Sequence, residues 1–591
     1  MLPSKLNRDY MKKIYSLLIA AVFFTGCEKD LLDTSPYDSI ASSNMWTTDN
    51  LTDLGVNGVY AALNESTVAG REVYMMDVYS FVGQHRNAEP LLMATITPSH
   101  AMFRDNWQGL YEGIQRANDA ILNIPKSPSS AEKKGRYMAE SKFLRAYFYS
   151  RLNQLWKGVP IYLEPFSDAE ATKPGSTEAE VWSAIISDLT DAINEPNLPL
   201  KYAKGNANYG HVTKGAAYAL RGKAYIYTQQ WALAAADFSK VKDAGYTLFN
   251  DYRALFKEAN EQADEMIFSI QNMSLAGYGS SSQWYAGSRS SFGSGFARYL
   301  ISPNLVNLYE NVDGSPFNWD AIIPGYTAMA PAKREVFFLR NNITTAERNA
   351  AVNRGLDISL YLPTGNEQRI RQAYTNRDPR LAHNVITPYS TYNGVFGSVN
   401  STVTSRWPYR SDALNVQDLN AEPVNRFNYL HRKFVYEGNS ELLTRDASPT
   451  DMPIIRYADV LLMWAEAINE QGFSQDAVNL VNQVRARAGV APLQTTNAAL
   501  PTYVNTQVNM RERIRNERRR EFPNEGINFF DEMRWKTLKE KVFATGNGAR
   551  MVWETNVHTY SYLGDHLYNW AIPQVEIERN PNLKQNPGWP N

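Results

Sequence analysis

Apolar residues recur every three or four positions over much of the chain, a spacing typical of amphipathic helices. This pattern predicts helices within residues 50–63 and 104–124. A third predicted helix has an apolar face that runs from Met138 to Leu155, and Gly158 ends it. Helical patterning dominates residues 104–250 and returns at 451–540, and the tail beyond is irregular.

Two segments share one helix–turn–helix pattern. Gly222 and Ala234 stand twelve positions apart in the first, as do Ala465 and Ala477 in the second. In tetratricopeptide-type repeats, small residues at this separation let two helices approach closely. A generic helical hairpin remains the alternative. A further helix should start at Thr177, because Glu180 stands at the spacing of a capping box.

The region 270–450 is rich in Gly, Ser, Asn, Pro and Tyr and has only short periodic pieces. It predicts long loops with a few strands, laid over the helical scaffold. Loops of this length in a compact protein are usually functional or disordered, and their many aromatic residues argue against disorder. We expect one domain from 46 to 591.

The N-terminal region has the pattern of a signal peptide over residues 1–26. Two lysines precede a short apolar run that ends at Phe24, and Met11 is the expected true start. "FTGC" then resembles a bacterial lipobox, although Phe24 replaces the usual Leu. Cys27 is the only cysteine of the 591 residues, which favours lipidation of its sulfur over an incidental cysteine after a secretory signal. Residues 27–45 would form a lipidated tether.

Charge and composition exclude some partners. The formal net charge is -1, with 43% hydrophobic residues. This balance gives no reason to expect a nucleic acid or an anionic membrane surface as partner.

A series of motifs in order resembles the SusD/RagB family. The series includes "AESKFLRAYFYSRLNQLWKGVPIY", "MPIIRYADVLLMWAEAINEQG", "IRNERRREFPNEGINFFDEMRW" and "AIPQVEIERNPNLKQNPGW". The resemblance implies a mostly α protein with about four tetratricopeptide-like hairpins and a loop-rich ligand-binding region with a few short strands.

The same resemblance implies a function. It indicates an outer-membrane lipoprotein on the cell surface, partnered by a SusC-like TonB-dependent transporter. The implied ligand is an oligosaccharide or polysaccharide, and some members bind peptides instead. Acidic Glu28 and Asp30 directly after the cysteine resemble a surface-export signal.

Catalytic chemistry finds little support in the sequence. Asp459 and Glu466 share a helix face, as the paired acids of a surface glycoside hydrolase could, but their block is structural in the resembled family. Seven His and one Cys make a transition-metal site improbable, and "NVDGSP" predicts a β-turn rather than a calcium loop. We therefore expect a non-enzymatic binding protein without cofactor or metal.

The charged run at 511–521 alternates arginine with glutamate. Ion pairs on a solvated helix are the favoured interpretation. A buried arginine–glutamate network beside "FFDEMRW" is the alternative, and a nucleic-acid patch is disfavoured.

Two segments outside the repeats combine aromatic rings with polar side chains. Rings stack on the C–H faces of sugars, and polar groups hydrogen-bond their hydroxyls. The first of these segments is 74–90. The second is 280–299, and the residue at position 319 is a further candidate. The alternative for each ring is packing under its own loop. The candidate ligand-binding residues are Tyr79, Arg86, Asn87, Trp284, Tyr285, Arg289 and Trp319.

Overall fold

The fold was analysed in a computed structural model. It describes residues 42–65, 67, 72–396, 399–410, 418–423, 425–438 and 444–590. The predicted signal peptide, Cys27 and most of the predicted tether lie outside these ranges, so they stay predictions.

Helices make up most of the regular structure. The helices before the loop-rich region are α1 (Ser42–Met45), α2 (Asp49–Ala61), α3 (Ala101–Asn123), α4 (Ala131–Trp156), α5 (Glu178–Asn194), α6 (Lys214–Tyr227), α7 (Trp231–Asp243) and α8 (Tyr252–Leu255). The later helices are α9 (Ser282–Ala286), α10 (Pro303–Leu308), α11 (Pro331–Arg334), α12 (Thr345–Asn353), α13 (Asn366–Gln372), α14 (Arg380–Asn384), α15 (Tyr457–Glu470), α16 (Gln475–Ala488), α17 (Gln507–Glu521), α18 (Asn528–Trp535), α19 (Leu538–Lys541) and α20 (Gln574–Arg579).

The strands are short and pair two by two in antiparallel fashion. The pairs are β1 (Gly83–His85) with β3 (Tyr299–Ile301), β2 (Met266–Ile270) with β8 (Met452–Arg456), β4 (Val385–Ile386) with β7 (Leu430–His431), β5 (Thr391–Phe396) with β6 (Val399–Thr404), and β9 (Gly548–Arg550) with β10 (Asn556–Thr559). The predicted mostly α fold class, with small strand elements, is confirmed.

The scaffold consists of packed helical hairpins, as predicted. Helices α2 and α3, α4 and α5, α6 and α7, and α15 and α16 pack against one another. The small residues allow this closeness: a Cβ added to Gly222 would lie 2.6 Å from the Phe238 ring. Ala465 and Ala477 of the later hairpin are fully buried. The capping box of Thr177 and Glu180 is also present.

The middle region contains more helix than the sequence predicts. Six of the short helices, α9 to α14, lie in the stretch predicted as loops with a few strands. Their length explains the difference, because four to nine residues show too little periodicity to predict a helix. Residues of α10, α12, α13 and α14 belong to a second core that includes Tyr309, Trp319, Tyr326 and Phe338. The expected β-turn at 311–314 is confirmed by the bond from Gly314 N to Asn311 O, 2.8 Å.

The second half of the charged run in α17, from Glu517 to Glu521, is buried, so the favoured expectation of a solvated helix is wrong for that half. In the first half Glu512 is exposed and pairs with Arg515, as expected for a solvated face. Glu517, Arg518 and Glu521 are fully buried. Their partners come from distant segments: Arg456 places its guanidinium 2.7 Å from Glu521, and Arg518 lies 2.7 Å from Asp459. The alternative, a buried arginine–glutamate network, is confirmed.

Within the described part of the chain, no helix has both the length and the apolar character needed to cross a bilayer.

Candidate functional site

The pairing of β1 with β3 joins the two segments that the sequence singles out. His85 lies opposite Tyr299 in this pair, and their rings are 5.5 Å apart. One residue further along, Arg86 N donates to Arg298 O at 2.8 Å. The two candidate segments therefore form one continuous surface.

An aromatic surface occupies the centre of this junction. Trp284 and Tyr285 follow one another in α9, and their ring planes lie within 6° of each other with centroids 5.3 Å apart. Phe296 packs 5.3 Å from the Trp284 ring, and Tyr299 packs 5.5 Å from the Tyr285 ring. These four rings are called the aromatic platform below. Trp284 and Tyr285 are half-buried, which leaves part of each ring accessible.

Backbone bonds hold the platform together. Phe296 N donates to Trp284 O, and Arg298 N donates to Tyr285 O, each at 2.7 Å. Glu72 fixes the start of α9, because it accepts the Ser281 hydroxyl at 2.7 Å. The chain therefore folds back over Trp284 and Tyr285, and Phe296 and Tyr299 pack against their rings.

Five arginines surround the platform, and they are called the arginine rim below. Arg445 lies 4.7 Å from the Trp284 ring, and Arg298 lies 4.9 Å from the Tyr285 ring. Arg289 lies 4.8 Å from the Phe296 ring. Arg86 donates to Phe296 O, and Arg426 donates to Arg86 O at 2.8 Å. The rim therefore surrounds the rings with hydrogen-bond donors.

Two carboxylates accompany the rim. Glu422 pairs with Arg289 and lies 4.0 Å from Arg86. Glu89 lies 3.0 Å from His85 Nδ1, and burial raises the pKa of this carboxyl. Burial lowers the pKa of His85 to about 4, so the imidazole is neutral at pH 7. Its Nδ1 accepts from Asn87 N at 3.1 Å, which orders the loop after β1.

The predicted residues separate into two groups. Trp284, Tyr285, Arg86 and Arg289 belong to the platform or the rim, and Asn87 lies exposed beside Arg86.

The other two predicted residues are core residues: Trp319 lies outside the candidate site, whereas the Tyr79 hydroxyl donates to Glu89 beside the rim at 3.5 Å. Tyr79 is 9% exposed and packs on Phe529. Trp319 is 5% exposed, stacks on Tyr326 and donates to Asn307 in the second core.

Several site residues have no sequence signal of their own. Phe296 and Arg298 lie in the second candidate segment without being chosen, whereas Arg426 and Arg445 come from distant loops. Gly293 allows the approach of Arg445, because an added Cβ would lie 2.5 Å from Arg445 Cβ and its φ is +71°. Only tertiary structure brings these residues together.

The two acids considered as a catalytic pair, Asp459 and Glu466, form ion pairs with arginines instead. Asp459 pairs with Arg518, and Glu466 pairs with Arg534 and accepts from Trp535 at 3.0 Å. Among the described residues, no three His, Cys, Asp or Glu side chains form a group that could hold a metal ion.

Comparison with protein families decides the classification. The model of the SusD family matches residues 264–589, more than half of the chain. The chain belongs to the SusD family. A second family model, described as starch-binding and associating with the outer membrane, matches residues 30–226. The two matches support association with the outer membrane.

Individual SusD-like relatives span nearly the whole length. A SusD-like protein of Formosa agariphila is 25% identical over 91% of this chain and 94% of its own. The starch-binding protein SusD of Bacteroides thetaiotaomicron is 25% identical over 77% of this chain and 73% of its own. A solved SusD-like carbohydrate-binding protein of Bacteroides fragilis superposes with a TM-score of 0.72 at 23% identity, covering 91% of this chain and all of that one.

This SusD-family chain also has a cleft on the helical scaffold, away from the aromatic platform. It encloses about 300 Å³ and includes Trp107, Tyr111, Phe166 and Arg579 in its lining. Tyr111 donates its hydroxyl to Pro160 O at 2.7 Å, and Arg579 lies 3.5 Å from Glu576. These partners hold the polar groups within the protein, so the aromatic platform with its rim is the better candidate.

Proposed function

We propose that this protein is a cell-surface glycan-binding lipoprotein, and that the aromatic platform binds the sugar. The proposal rests on one observation. The half-buried rings of Trp284 and Tyr285 lie parallel, and the guanidinium groups of the rim offer hydrogen-bond donors around them. A pyranose has an apolar C–H face for such rings and hydroxyls for the donors. The names of the starch-binding and carbohydrate-binding relatives support the same ligand class.

Two further parts of the proposal come from the sequence. Cys27 carries the lipid anchor, and the acidic residues after it favour the outer leaflet. The resembled family implies delivery of the bound glycan to a SusC-like TonB-dependent transporter for import. Delivery also has a physical reason, because a membrane-tethered binding protein without a channel cannot import its ligand.

A peptide ligand is the second candidate function. Arginine and tyrosine are also common in peptide-binding surfaces, and the family resemblance includes peptide-binding members. The parallel ring faces with hydrogen-bond donors around them match the C–H face and the hydroxyls of a sugar, which favours glycans. A surface glycoside hydrolase is a third possibility, which the use of Asp459 and Glu466 as ion-pair partners disfavours.

Titration calorimetry of the purified protein against a glycan panel and a peptide panel tests the ligand class. We expect heat of binding from at least one glycan and from no peptide. Binding of peptides alone would replace the proposed function by the second candidate. Release of reducing ends from a bound glycan would show that the protein is an enzyme.

Pull-down from outer membranes in mild detergent tests the transporter. Co-purification with a TonB-dependent barrel is the expected result. Recovery of the lipoprotein as a free monomer alone would contradict a stable complex.

A further inference from the structure

We propose that the glycan is acidic, carrying carboxylate or sulfate groups that pair with the arginine rim. This inference rests on the proposed function and narrows its ligand class. Its starting point is the imbalance of charge around the platform, where five guanidinium groups accompany Glu422 and Glu89.

Three rim arginines form no ion pair with a carboxylate in the described part of the chain, although the charge of Arg298 acts on the Glu89 carboxyl and partly offsets the rise in its pKa that burial causes. Among the described residues, no carboxylate oxygen forms an ion pair within 4.0 Å of Arg298, Arg426 or Arg445. Arg445 instead donates to Gly293 O at 2.7 Å and to Ser294 O at 3.0 Å. Backbone carbonyls accept hydrogen bonds but leave the charge of the guanidinium uncompensated.

Many arginines elsewhere in the fold pair with carboxylates, whereas others, such as the buried Arg377, donate to backbone carbonyls. Arg456 contacts Glu265, Glu521 and Glu525, each at 2.7 to 2.8 Å. The buried Arg380 and Arg485 likewise contact two or more carboxylates each. The rim gathers three arginines without a described ion-pair partner, Arg298, Arg426 and Arg445, around one aromatic surface.

The rim charges are also partly removed from water. Arg86, Arg298, Arg426 and Arg445 are each half-buried, and Arg298 Nε is buried without a hydrogen-bond partner. Burial lowers the pKa of the Arg86 guanidinium, and the neighbouring Arg298, Arg289 and Arg426 lower it further. Half-buried like charges repel one another, so an anion that enters between them gains more than it would at an open surface.

The geometry suits a specific chemistry. A guanidinium group presents a planar fork of donors that matches a carboxylate or a sulfate. One sugar unit can stack on the aromatic platform while its acidic substituent pairs with the guanidinium groups of the rim. Uronic acids and sulfate esters share this chemistry, whereas a neutral sugar would offer Arg298, Arg426 and Arg445 no negative charge to pair with.

Pairs of glycans that share a backbone and differ in charge test whether the protein recognises the acidic group. The first pair is polygalacturonate and its methyl ester, and the second is a sulfated galactan and the same galactan after desulfation. Calorimetry with the full-length protein should show that the acidic member of at least one pair binds about tenfold or more tightly than its neutral partner. The pair that discriminates identifies carboxylate or sulfate as the recognised group.

Salt supplies a second readout. Affinity for the acidic member should fall between about 0.05 M and about 0.5 M NaCl, because ions screen charge pairs. An affinity that does not change with salt would overturn the proposal.

Rim variants locate the effect. Arg298→Gln and Arg426→Gln should each weaken binding of the acidic glycan about tenfold, and Arg298→Lys should restore part of it because the charge remains. Lys240→Gln removes the same charge from an exposed site of α7 and should leave affinity unchanged. Equal unfolding midpoints show that each variant is folded.

The outcomes distinguish this inference from the function on which it rests. Equal binding of both members of each pair, or a glycan preference that survives the two Gln variants, overturns the acidic ligand while glycan binding stands. Binding of neither member of either pair, together with no binding on the wider glycan panel, contradicts both.

Discussion

His85 and Tyr299 face each other across two short antiparallel strands, with their rings 5.5 Å apart. This contact positions the rest of the site, because Arg86 follows His85 and Arg298 precedes Tyr299. Tyr285 packs on the same Tyr299 ring. One strand pair thus sets the distance between the rings of the platform and the nearest charges of the rim.

Replacement of Trp284 by Ala should weaken glycan binding by about 1–3 kcal/mol, the magnitude expected for the loss of a stacked aromatic surface. Calorimetry on the ligand found in the panel measures it. The matched control is Trp319→Ala, which removes an indole from the second core. It should lower the free energy of unfolding by about 3–5 kcal/mol and leave the affinity of the folded protein unchanged. Unchanged affinity of Trp284→Ala would remove that residue from the site.

Replacement of Gly222 by Ala should destabilise the α6–α7 hairpin. The new Cβ would lie 2.6 Å from the Phe238 ring, and overpacking of this kind costs about 1–3 kcal/mol. Gly58→Ala in α2 is the control, because no atom lies within 4 Å of its added Cβ and Ala favours a helix by about 1 kcal/mol. Urea unfolding compares the two variants. If the two variants change the free energy of unfolding equally, the close approach of the hairpin helices does not determine the stability of the hairpin.

Asp77 should make stability fall as pH rises from about 4 to about 7. Burial raises the pKa of its carboxyl to about 7, against about 3.9 for an unfolded Asp. The folded state therefore binds more protons than the unfolded state in this window, and the free energy of unfolding declines until the folded group has ionised. Asp77→Asn removes this contribution, so the difference in stability between variant and parent should change across the window.

The control for this pH dependence is Asp313→Asn. Asp313 is exposed, and bonds from Ser315 lower the pKa of its carboxyl, so this change should leave the slope between pH 4 and 7 as in the parent. Urea unfolding at several pH values measures both variants. Identical pH profiles of Asp77→Asn and the parent would show that folding does not raise the pKa of Asp77.

Cys27→Ser should release the protein from the membrane, because the thioether with the lipid cannot form. Neutralising Glu28 and Asp30 should leave the protein membrane-bound but on the inner side of the outer membrane. Cell fractionation measures the first change, and protease accessibility of intact cells measures the second. Membrane association of the Cys27→Ser protein would exclude lipidation as its anchor.

The sequence predicts the helical hairpins well because their signals are local. The spacing of Gly222 and Ala234, and the capping box at Thr177, depend on neighbours a few positions away. Burial of α17 has no such signal. Its alternating charges are compatible with a solvated helix and with a buried network, and the partners that decide between them, Arg456 and Glu310 among them, lie far away in the chain.

The residues of the candidate site also divide into those with a local sequence signal and those without one. Trp284 and Tyr285 could be found because rings and polar residues cluster in one segment. Trp319 offered the same residue type, and only its contacts with Tyr326 and Asn307 place it in a core. Arg426 and Arg445 reach the platform from separate loops, so no pattern within either loop predicts them.

The β1–β3 pair also bears on how the loops around the platform can change in length. The entropy of closing a flexible loop grows with the logarithm of its length, so doubling a loop costs only about 0.6 kcal/mol. Insertions in surface loops between Arg298 and Arg426 can therefore be accommodated as long as the second core and the β1–β3 pair stay intact. A scaffold of rigid hairpins with one anchored junction lets ligand specificity diversify through loop length while the fold is retained.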